Sequence, residues 1–321
     1  MTDGIGEISA AILNWRMKKI EGELISHYQR DVPYVEGNFL NKDFKISKLK
    51  QWDRFGATVN KVRASEGYVI KNFRDLIEQV AQVTLNNQNY EMFYRGQSQD
   101  YLNNQSEFYK DRKPKSVVLP NICRPERKED GMYKYSIRKK VVQDRYKNLY
   151  DFIDFANRKN KRQIADEIYM ALIQHYEIIP TPLIDITQSL RVAATFALRQ
   201  NKRGFVYVFG LPYPNQSISY FRDFGIILLK LQNVISTDAL RPRYQEGYLV
   251  GKFPFSDIKE SDDDLSNRMI AKFIVDDTNN DFWDEHFLPM PEEVLFPQVD
   301  AFESKLKQLF EDFVEGKAAE R

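Results

Sequence analysis

Residues 180–200 read PTPLIDITQSLRVAATFALRQ, and this stretch determines how the chain around it must fold. The prolines at positions 180 and 182 cannot continue a helix, so the preceding helix, whose apolar residues share one face, must end near His175. Residues 183–186 are apolar apart from Asp185. Their length allows only a short buried strand or turn.

A helix over about residues 188–200 is predicted to follow this strand. Its apolar residues recur at helical spacing, and Gly204 lies just beyond it as a stop. Asp185 or Thr187 can cap the N-terminus of this helix, which leaves the other side chain free for a ligand.

Upstream, the sequence predicts a helix, then a strand, then an arginine. Apolar residues recur at intervals of three and four over residues 72–85, which indicates an amphipathic helix. After an asparagine-rich break, residues 90–94 read as a strand that ends at Arg95-Gly96. Downstream, strands are predicted over residues 205–209, 225–231 and 247–250. Residues 68–255 therefore have the character of a single α+β module.

The flanking regions predict extensions of a different kind. Residues 1–67 read as a helical or irregular N-terminal extension, and residues 256–321 as an acidic C-terminal helical segment. Within that segment, helices are expected over residues 265–275 and 299–314. The aspartates at positions 262–264 lack the spacing of a calcium loop, which favours an acidic helix cap.

Charge is distributed unevenly, although the formal net charge is only +1. Residues 109–147 carry thirteen Lys or Arg against five Asp or Glu, whereas residues 256–321 carry seven against eighteen. The basic stretch, part of an insertion over about residues 109–162, could meet nucleic acid, or the acidic C-terminal segment could neutralise it. The composition leaves both interpretations open.

Several classes of protein are poor fits to the sequence. No apolar run of about eighteen residues and no secretory signal pattern occurs, so we expect a cytoplasmic protein without a membrane partner. Cys123 is the single cysteine, and the three histidines are scattered, so we expect no metal. Serine-hydrolase elbows and phosphate-binding loops of the Gly-x-x-x-x-Gly-Lys type are also absent.

Five short motifs occur in an order that resembles the FRG domain family, named after a Phe/Tyr-Arg-Gly motif. They are Tyr94-Arg95-Gly96-Gln97, Leu119-Pro120 with Arg124, Gln174-His175-Tyr176, Pro180-Thr181 with residues 183–187, and Ala193 with Phe196-Ala197. The resemblance covers about residues 68–255. Glu177, Pro182 and Ile186 depart from the residues common in the family.

A second resemblance concerns chemistry. The order of Arg95, then Thr187 with Ser189, then Gln245-Glu246 is similar to that of mono-ADP-ribosyltransferases of the arginine, serine, glutamate type. It implies an ADP-ribosyltransferase-like split β-sheet core with flanking helices and helical extensions at both ends. It also implies NAD as co-substrate and an oxocarbenium-like ribose that must be stabilised.

The resemblance implies roles for named residues. Arg95 would bind phosphate or ribose oxygens, and Glu246 or Gln245 would stabilise the cationic sugar, with Glu246 favoured only slightly. The remaining NAD-binding candidates are Tyr94, Gly96, His175, Tyr176, Thr187 and Ser189. Each also has a simpler interpretation, since tyrosines pack, hydroxyls cap helices and buried histidines hold turns.

The expected function is transfer of ADP-ribose from NAD to a macromolecule, with nucleic acid slightly favoured over protein because of the basic stretch. The resemblance also suggests a toxin of a toxin–antitoxin or phage-defence system, restrained by a partner. Two alternatives remain open at this stage. One is a non-catalytic module that binds nucleotide or nucleic acid, and the other is an NAD glycohydrolase.

Overall fold

The computed structural model describes residues 59–85, 87–104, 114–124, 133–134, 139–160, 164–234, 240–255, 264–297 and 301–319. Nearly all of the expected N-terminal extension, and much of the basic stretch, therefore lie outside the described residues. Within the described part of the chain, no helix combines the length and apolar character that crossing a bilayer requires.

Runs of strands and runs of helices both occur along the described chain, as in an α+β protein. The helices are α1 (Val59–Ala64), α2 (Phe73–Leu85), α3 (Lys139–Asn160), α4 (Asp166–His175), α5 (Leu190–Leu198), α6 (Leu231–Val234), α7 (Leu240–Tyr244), α8 (Glu292–Leu295) and α9 (Ala301–Ala319). The strands are β1 (Tyr68–Ile70), β2 (Glu91–Gln97), β3 (Leu102–Asn104), β4 (Lys115–Ser116), β5 (Tyr133–Lys134), β6 (Leu183–Thr187), β7 (Arg203–Leu211), β8 (Ile218–Phe221), β9 (Ile226–Lys230), β10 (Gly247–Lys252) and β11 (Met269–Asp276).

An eight-stranded sheet with the order β1-β11-β7-β2-β6-β10-β9-β8 forms the centre of the molecule. The first four strands in this order, β1-β11-β7-β2, form one group, and the last four, β6-β10-β9-β8, form the other. Within each group, neighbouring strands pair over several residues. Between the groups, β2 and β6 share a single pair, Tyr94 with Thr187. The sheet therefore consists of two four-stranded halves that meet at one point.

The helix predicted over residues 265–275 is wrong. A short 3-10 turn at Leu265–Arg268 leads into β11, which pairs antiparallel with β7 and parallel with β1. Every residue of β11 is buried, so its sequence lacks the alternation that distinguishes a half-exposed strand from a buried helix. The sheet thus extends past residue 255, where the sequence placed the end of the α+β module. Asp264 caps the 3-10 turn by accepting a hydrogen bond from the Ser266 N–H, as predicted for the acidic run.

Helix α5 lies unusually close to β2 and β7. A Cβ atom added to Gly96 would lie 1.8 Å from the carbonyl oxygen of Ala193, and one added to Gly204 would lie 2.1 Å from that of Ala197. Only glycine permits this approach of strand to helix. Gly96 is therefore required for packing, which explains why it adjoins Arg95 irrespective of any ligand.

The C-terminal helix α9 packs on α3, which belongs to the basic insertion. Phe313 of α9 contacts Phe152, and the ion pairs Lys159–Asp312 and Lys317–Asp151 span 3.2 and 2.9 Å. At this contact the acidic segment does cover part of the insertion.

Candidate functional site

The two halves of the sheet separate immediately after their single point of contact. Beyond the Tyr94–Thr187 pair no further residues of β2 and β6 are paired, and Arg95 reaches across to β6. Its Nη1 atom donates a hydrogen bond of 2.5 Å to the backbone carbonyl of Asp185. A side chain therefore connects the strands where the backbone ladder stops.

The open end of this gap is bounded by a third segment, residues 116–122, which we name the strap. Its Val117 N–H donates to the Tyr101 carbonyl, just after β2, at 2.8 Å, and its Ile122 N–H donates to the Thr181 carbonyl, just before β6, at 3.1 Å. The strap thus spans from the end of β2 to the start of β6. We call the region enclosed by residues 95–100, the strap and residues 181–186 the wedge.

Two polar atoms at the β2 side of the wedge are buried without a hydrogen-bond partner. They are Nε of Arg95 and Oε1 of Gln97. Residues two apart on a strand share a face, so both side chains lie on the face opposite Gly96 and helix α5. Buried polar atoms in proteins are nearly always hydrogen-bonded, so such a pair is typical of a place where a ligand supplies the partners.

On the β6 side, Asp185 is held by the end of helix α4. Its Oδ2 accepts a hydrogen bond of 2.8 Å from Nε2 of Gln174, and the Gln174 amide is fixed in orientation because its Oε1 accepts 2.5 Å away from the Thr181 hydroxyl. Gln174 and Thr181 are buried, whereas the Asp185 side chain is 42% exposed. The Asp185 carboxylate is therefore held in one orientation and remains accessible.

His175 lies beside this carboxylate and is almost fully buried. Burial, with a further contribution from the positive charge of Arg241, lowers the pKa of His175 to about 3. Burial outweighs the Asp185 carboxylate, whose Oδ1 atom lies 3.9 Å from Nδ1, so the imidazole is neutral at neutral pH. Its Nε2 atom has no hydrogen-bond partner, and neither has the buried Nε of Arg241.

The hydroxyls predicted to bind phosphate are occupied within the protein. Thr187 Oγ1 accepts from the Ser189 N–H at 3.0 Å and lies 3.0 Å from the Gln245 carbonyl oxygen, to which it donates. Ser189 Oγ accepts from the Val192 N–H and is the N-cap of α5. The prediction that Asp185 or Thr187 caps this helix is therefore wrong, because the helix begins two residues later than expected.

The Gln245-Glu246 pair forms the turn that leads into β10. The Gln245 side chain donates to the Leu295 carbonyl at 2.9 Å, which ties the turn to α8. Glu246 is exposed and adopts a φ of 46°, and its carbonyl oxygen lies 3.2 Å from Thr187 Oγ1. Of the two residues, Glu246 has the accessible side chain, and its backbone adjoins the point where the sheet halves meet.

Both candidate tyrosines lie inside hydrophobic cores. Tyr94 is in the core under α5, where burial and the nearby negative charge of Glu91 raise its pKa to about 12. Tyr176 is in the second core, and its ring packs against His175 and against Phe302 of α9. These positions fit packing roles, and neither ring presents an open face for stacking on NAD.

The structure brings together residues that the sequence did not select. Gln97 and Gln174 join Arg95, Asp185 and His175 around the wedge. Both glutamines belong to the motifs that carry the FRG resemblance, but neither was named as a site residue. The two-residue period of a strand could have placed Gln97 on the face of Arg95. Among the described residues, no group of His, Cys, Asp and Glu is arranged to hold a metal ion.

Comparison with known families gives one match. The FRG domain model matches residues 90–204, which supports the FRG family for this region of the chain. The matched residues run from the start of β2 to the start of β7 and include every boundary of the wedge. No curated protein and no solved structure showed significant similarity to the chain.

Proposed function

We propose that the wedge of this FRG-type region binds NAD and that the protein transfers ADP-ribose to a macromolecular acceptor. The observation that carries the proposal is the position of Arg95, at the one junction between two half-sheets and with a buried Nε atom that has no partner. A guanidinium with unused donors is suited to bind a diphosphate, because its planar fork matches the geometry of two phosphate oxygens.

The division of the sheet supports the finer interpretation of the fold. An ADP-ribosyltransferase-like core is expected to have two sheets that open away from each other, with the arginine at the opening. The single Tyr94–Thr187 pair and the divergence of β2 and β6 beyond it agree with this expectation. The order of Arg95, the Thr187 turn and the Gln245-Glu246 turn also agrees, since Thr187 contacts both of the other regions.

The proposed reaction breaks the bond between nicotinamide and C1′ of the ribose, and nicotinamide leaves with the bonding electrons. A nucleophile of the acceptor then forms a bond to C1′ and gives up its proton. Arg95 would bind the phosphates, and the exposed Glu246 carboxylate would stabilise the positive sugar. Gln245 is the poorer candidate, because its amide is already engaged with Leu295.

The proposal extends to the acceptor and to the cellular role. Nucleic acid remains the preferred acceptor because of the basic stretch at residues 109–147, and the two ion pairs to α9 lie outside that stretch, at Asp151 and Lys159. A toxin restrained by an inhibitory partner agrees with the same chemistry. Water as the acceptor would make the protein an NAD glycohydrolase.

The test is incubation of the protein with NAD labelled in the adenylate portion, in the presence of total RNA, DNA and protein. We expect transfer of the label by the intact protein, loss of transfer with Arg95→Lys and at least a large reduction with Glu246→Gln. Digestion of the product with nuclease or with protease identifies the acceptor.

Release of free nicotinamide is measured in the same reactions. Release without transfer would assign a glycohydrolase. Neither release nor transfer by folded protein would contradict the proposal and leave a binding module, in which Glu246→Gln should have no effect on ligand affinity.

A further inference from the structure

Asp185 is the exception in a buried strand. Ile184 and Ile186 are each 3% exposed, whereas the Asp185 side chain is 42% exposed. Successive side chains of a strand point to opposite faces, so Asp185 projects away from the core that holds its two neighbours. It is the one residue of this five-residue strand that is not buried.

The surroundings fix the carboxylate but do not neutralise it. Gln174 donates to Oδ2 and is itself oriented by Thr181, and neutral His175 lies 3.9 Å from Oδ1. Among the described residues, no lysine or arginine is within ion-pair distance of this carboxylate. Its remaining lone pairs are therefore available to donors from a ligand.

Arg95 and Asp185 are in direct contact through the Asp185 carbonyl. An anionic group bound by Arg95 would therefore lie next to Asp185, whose carboxylate is fixed in position and accepts hydrogen bonds. In a nucleotide, the group next to a phosphate is a ribose with two hydroxyl donors. A carboxylate that accepts from ribose hydroxyls is a common way to recognise them.

We propose that Asp185 accepts hydrogen bonds from the hydroxyls of a ribose whose phosphate Arg95 binds. This inference rests on the proposed function, and it adds a residue that determines specificity for nucleotides. Gln174 is then a positioning residue, since it orients Asp185 without touching the ligand. A divalent cation is a poorer occupant, because among the described residues Asp185 belongs to no group of three or more His, Cys, Asp or Glu that could hold one.

The test is titration calorimetry with NAD and with its two 2′-deoxy analogues, one altered in the nicotinamide ribose and one in the adenosine ribose. Asp185→Asn is the main variant, since an asparagine oxygen can still accept from Gln174. Asp154→Asn, at an exposed position on α3, is the matched control. Thermal unfolding monitors the fold, and Asp185→Ser replaces Asp185→Asn if the latter does not fold.

We expect Asp185→Asn to weaken NAD binding by about 10-fold to 100-fold, as loss of a hydrogen bond to a charged group does. One of the deoxy analogues should bind the intact protein more weakly than NAD does, by a similar factor. Asp185→Asn should not weaken the binding of that analogue any further. The inference is overturned if Asp185→Asn binds NAD with unchanged affinity, or if it weakens every analogue equally. Absence of NAD binding by the intact protein overturns the proposed function as well, so the two failures are distinguishable.

Discussion

Two groups of polar residues lie along this sheet and meet at Asp100 and Ser116, and they differ in whether their buried donors have partners. In the first, which we name the ion network, Arg63 donates to Ser116, Asn267 and Asp264 at 3.1, 2.5 and 2.7 Å. Lys272 is 1% exposed and donates to Asp100 at 2.8 Å. In the wedge, by contrast, Arg95 makes one such bond, and its Nε has no partner.

This difference distinguishes a cluster that stabilises the fold from one that is suited to bind a ligand. Leaving buried charge without partners costs several kcal/mol, so the ion network is arranged as a group that holds α1, the strap and β11 together. The wedge keeps unused donors and acceptors, which is unfavourable for stability alone. Such an arrangement is expected where the missing partner is a ligand.

The largest effect should come from the same substitution made in each cluster. Arg63→Met leaves the Asp264 carboxylate, 2% exposed, without its cation, and we expect a loss of about 3–5 kcal/mol of unfolding free energy. Arg95→Met removes one hydrogen bond from a guanidinium to a carbonyl and should cost less, about 1.5–3 kcal/mol. Urea unfolding measures both, and equal losses would show that the two clusters do not differ.

Gly96 lies next to Arg95 but belongs to the packing of the sheet. Gly96→Ala places a Cβ against the backbone of α5, so we expect a loss of about 3 kcal/mol or an unfolded protein. Gly316→Ala is the matched control, because no atom lies within 4 Å of its added Cβ, and it should stabilise α9 slightly. If thermal unfolding shows both variants to be equally stable, the close approach of β2 to α5 is incorrect.

His175 should make the stability of the folded protein sensitive to acid. Its folded pKa of about 3 lies below the ordinary value near 6.5, so the unfolded chain binds the extra proton between these values. Stability is therefore retained above about pH 6.5 and falls as the pH is lowered, by about 2 kcal/mol at pH 5. Urea unfolding at pH 8 and pH 5 should show this component in the intact protein and lack it in His175→Gln. An equal fall in both would assign the acid sensitivity to other groups.

The smallest effect concerns the hydroxyl of Thr187. Thr187→Val removes its bonds to Ser189 and Gln245, and we expect a loss of about 1 kcal/mol of stability with little change in NAD affinity. Unfolding and titration calorimetry on one preparation measure both quantities. A large loss of NAD affinity at unchanged stability would instead show that the Thr187 hydroxyl binds the ligand.

Local sequence patterns were sufficient for much of the fold. The helix over residues 72–85 and the strand before Arg95 are present, as are the helix that ends at His175 and the short strand at residues 183–187. Their periodicity and proline positions are local signals. The strand Met269–Asp276 was missed because a strand buried on both faces shows no alternation.

The site could be predicted only in part, for a physical reason. Motifs identified Arg95 and His175 as polar residues worth examining. Whether a polar atom lacks a partner depends on residues distant in sequence, as the contacts of Asp185 with Arg95 and Gln174 illustrate. The same limit applies to Thr187 and Gln245, whose internal hydrogen bonds are not visible in any local pattern.

Binding of NAD to the intact protein and to Arg95→Met, measured by titration calorimetry, tests the central claim most directly. We predict saturable binding to the intact protein and an affinity lower by at least about 10-fold in Arg95→Met, which keeps its fold. Equal affinity in the two proteins, or no binding by the intact protein, would contradict the account of the wedge as a nucleotide site.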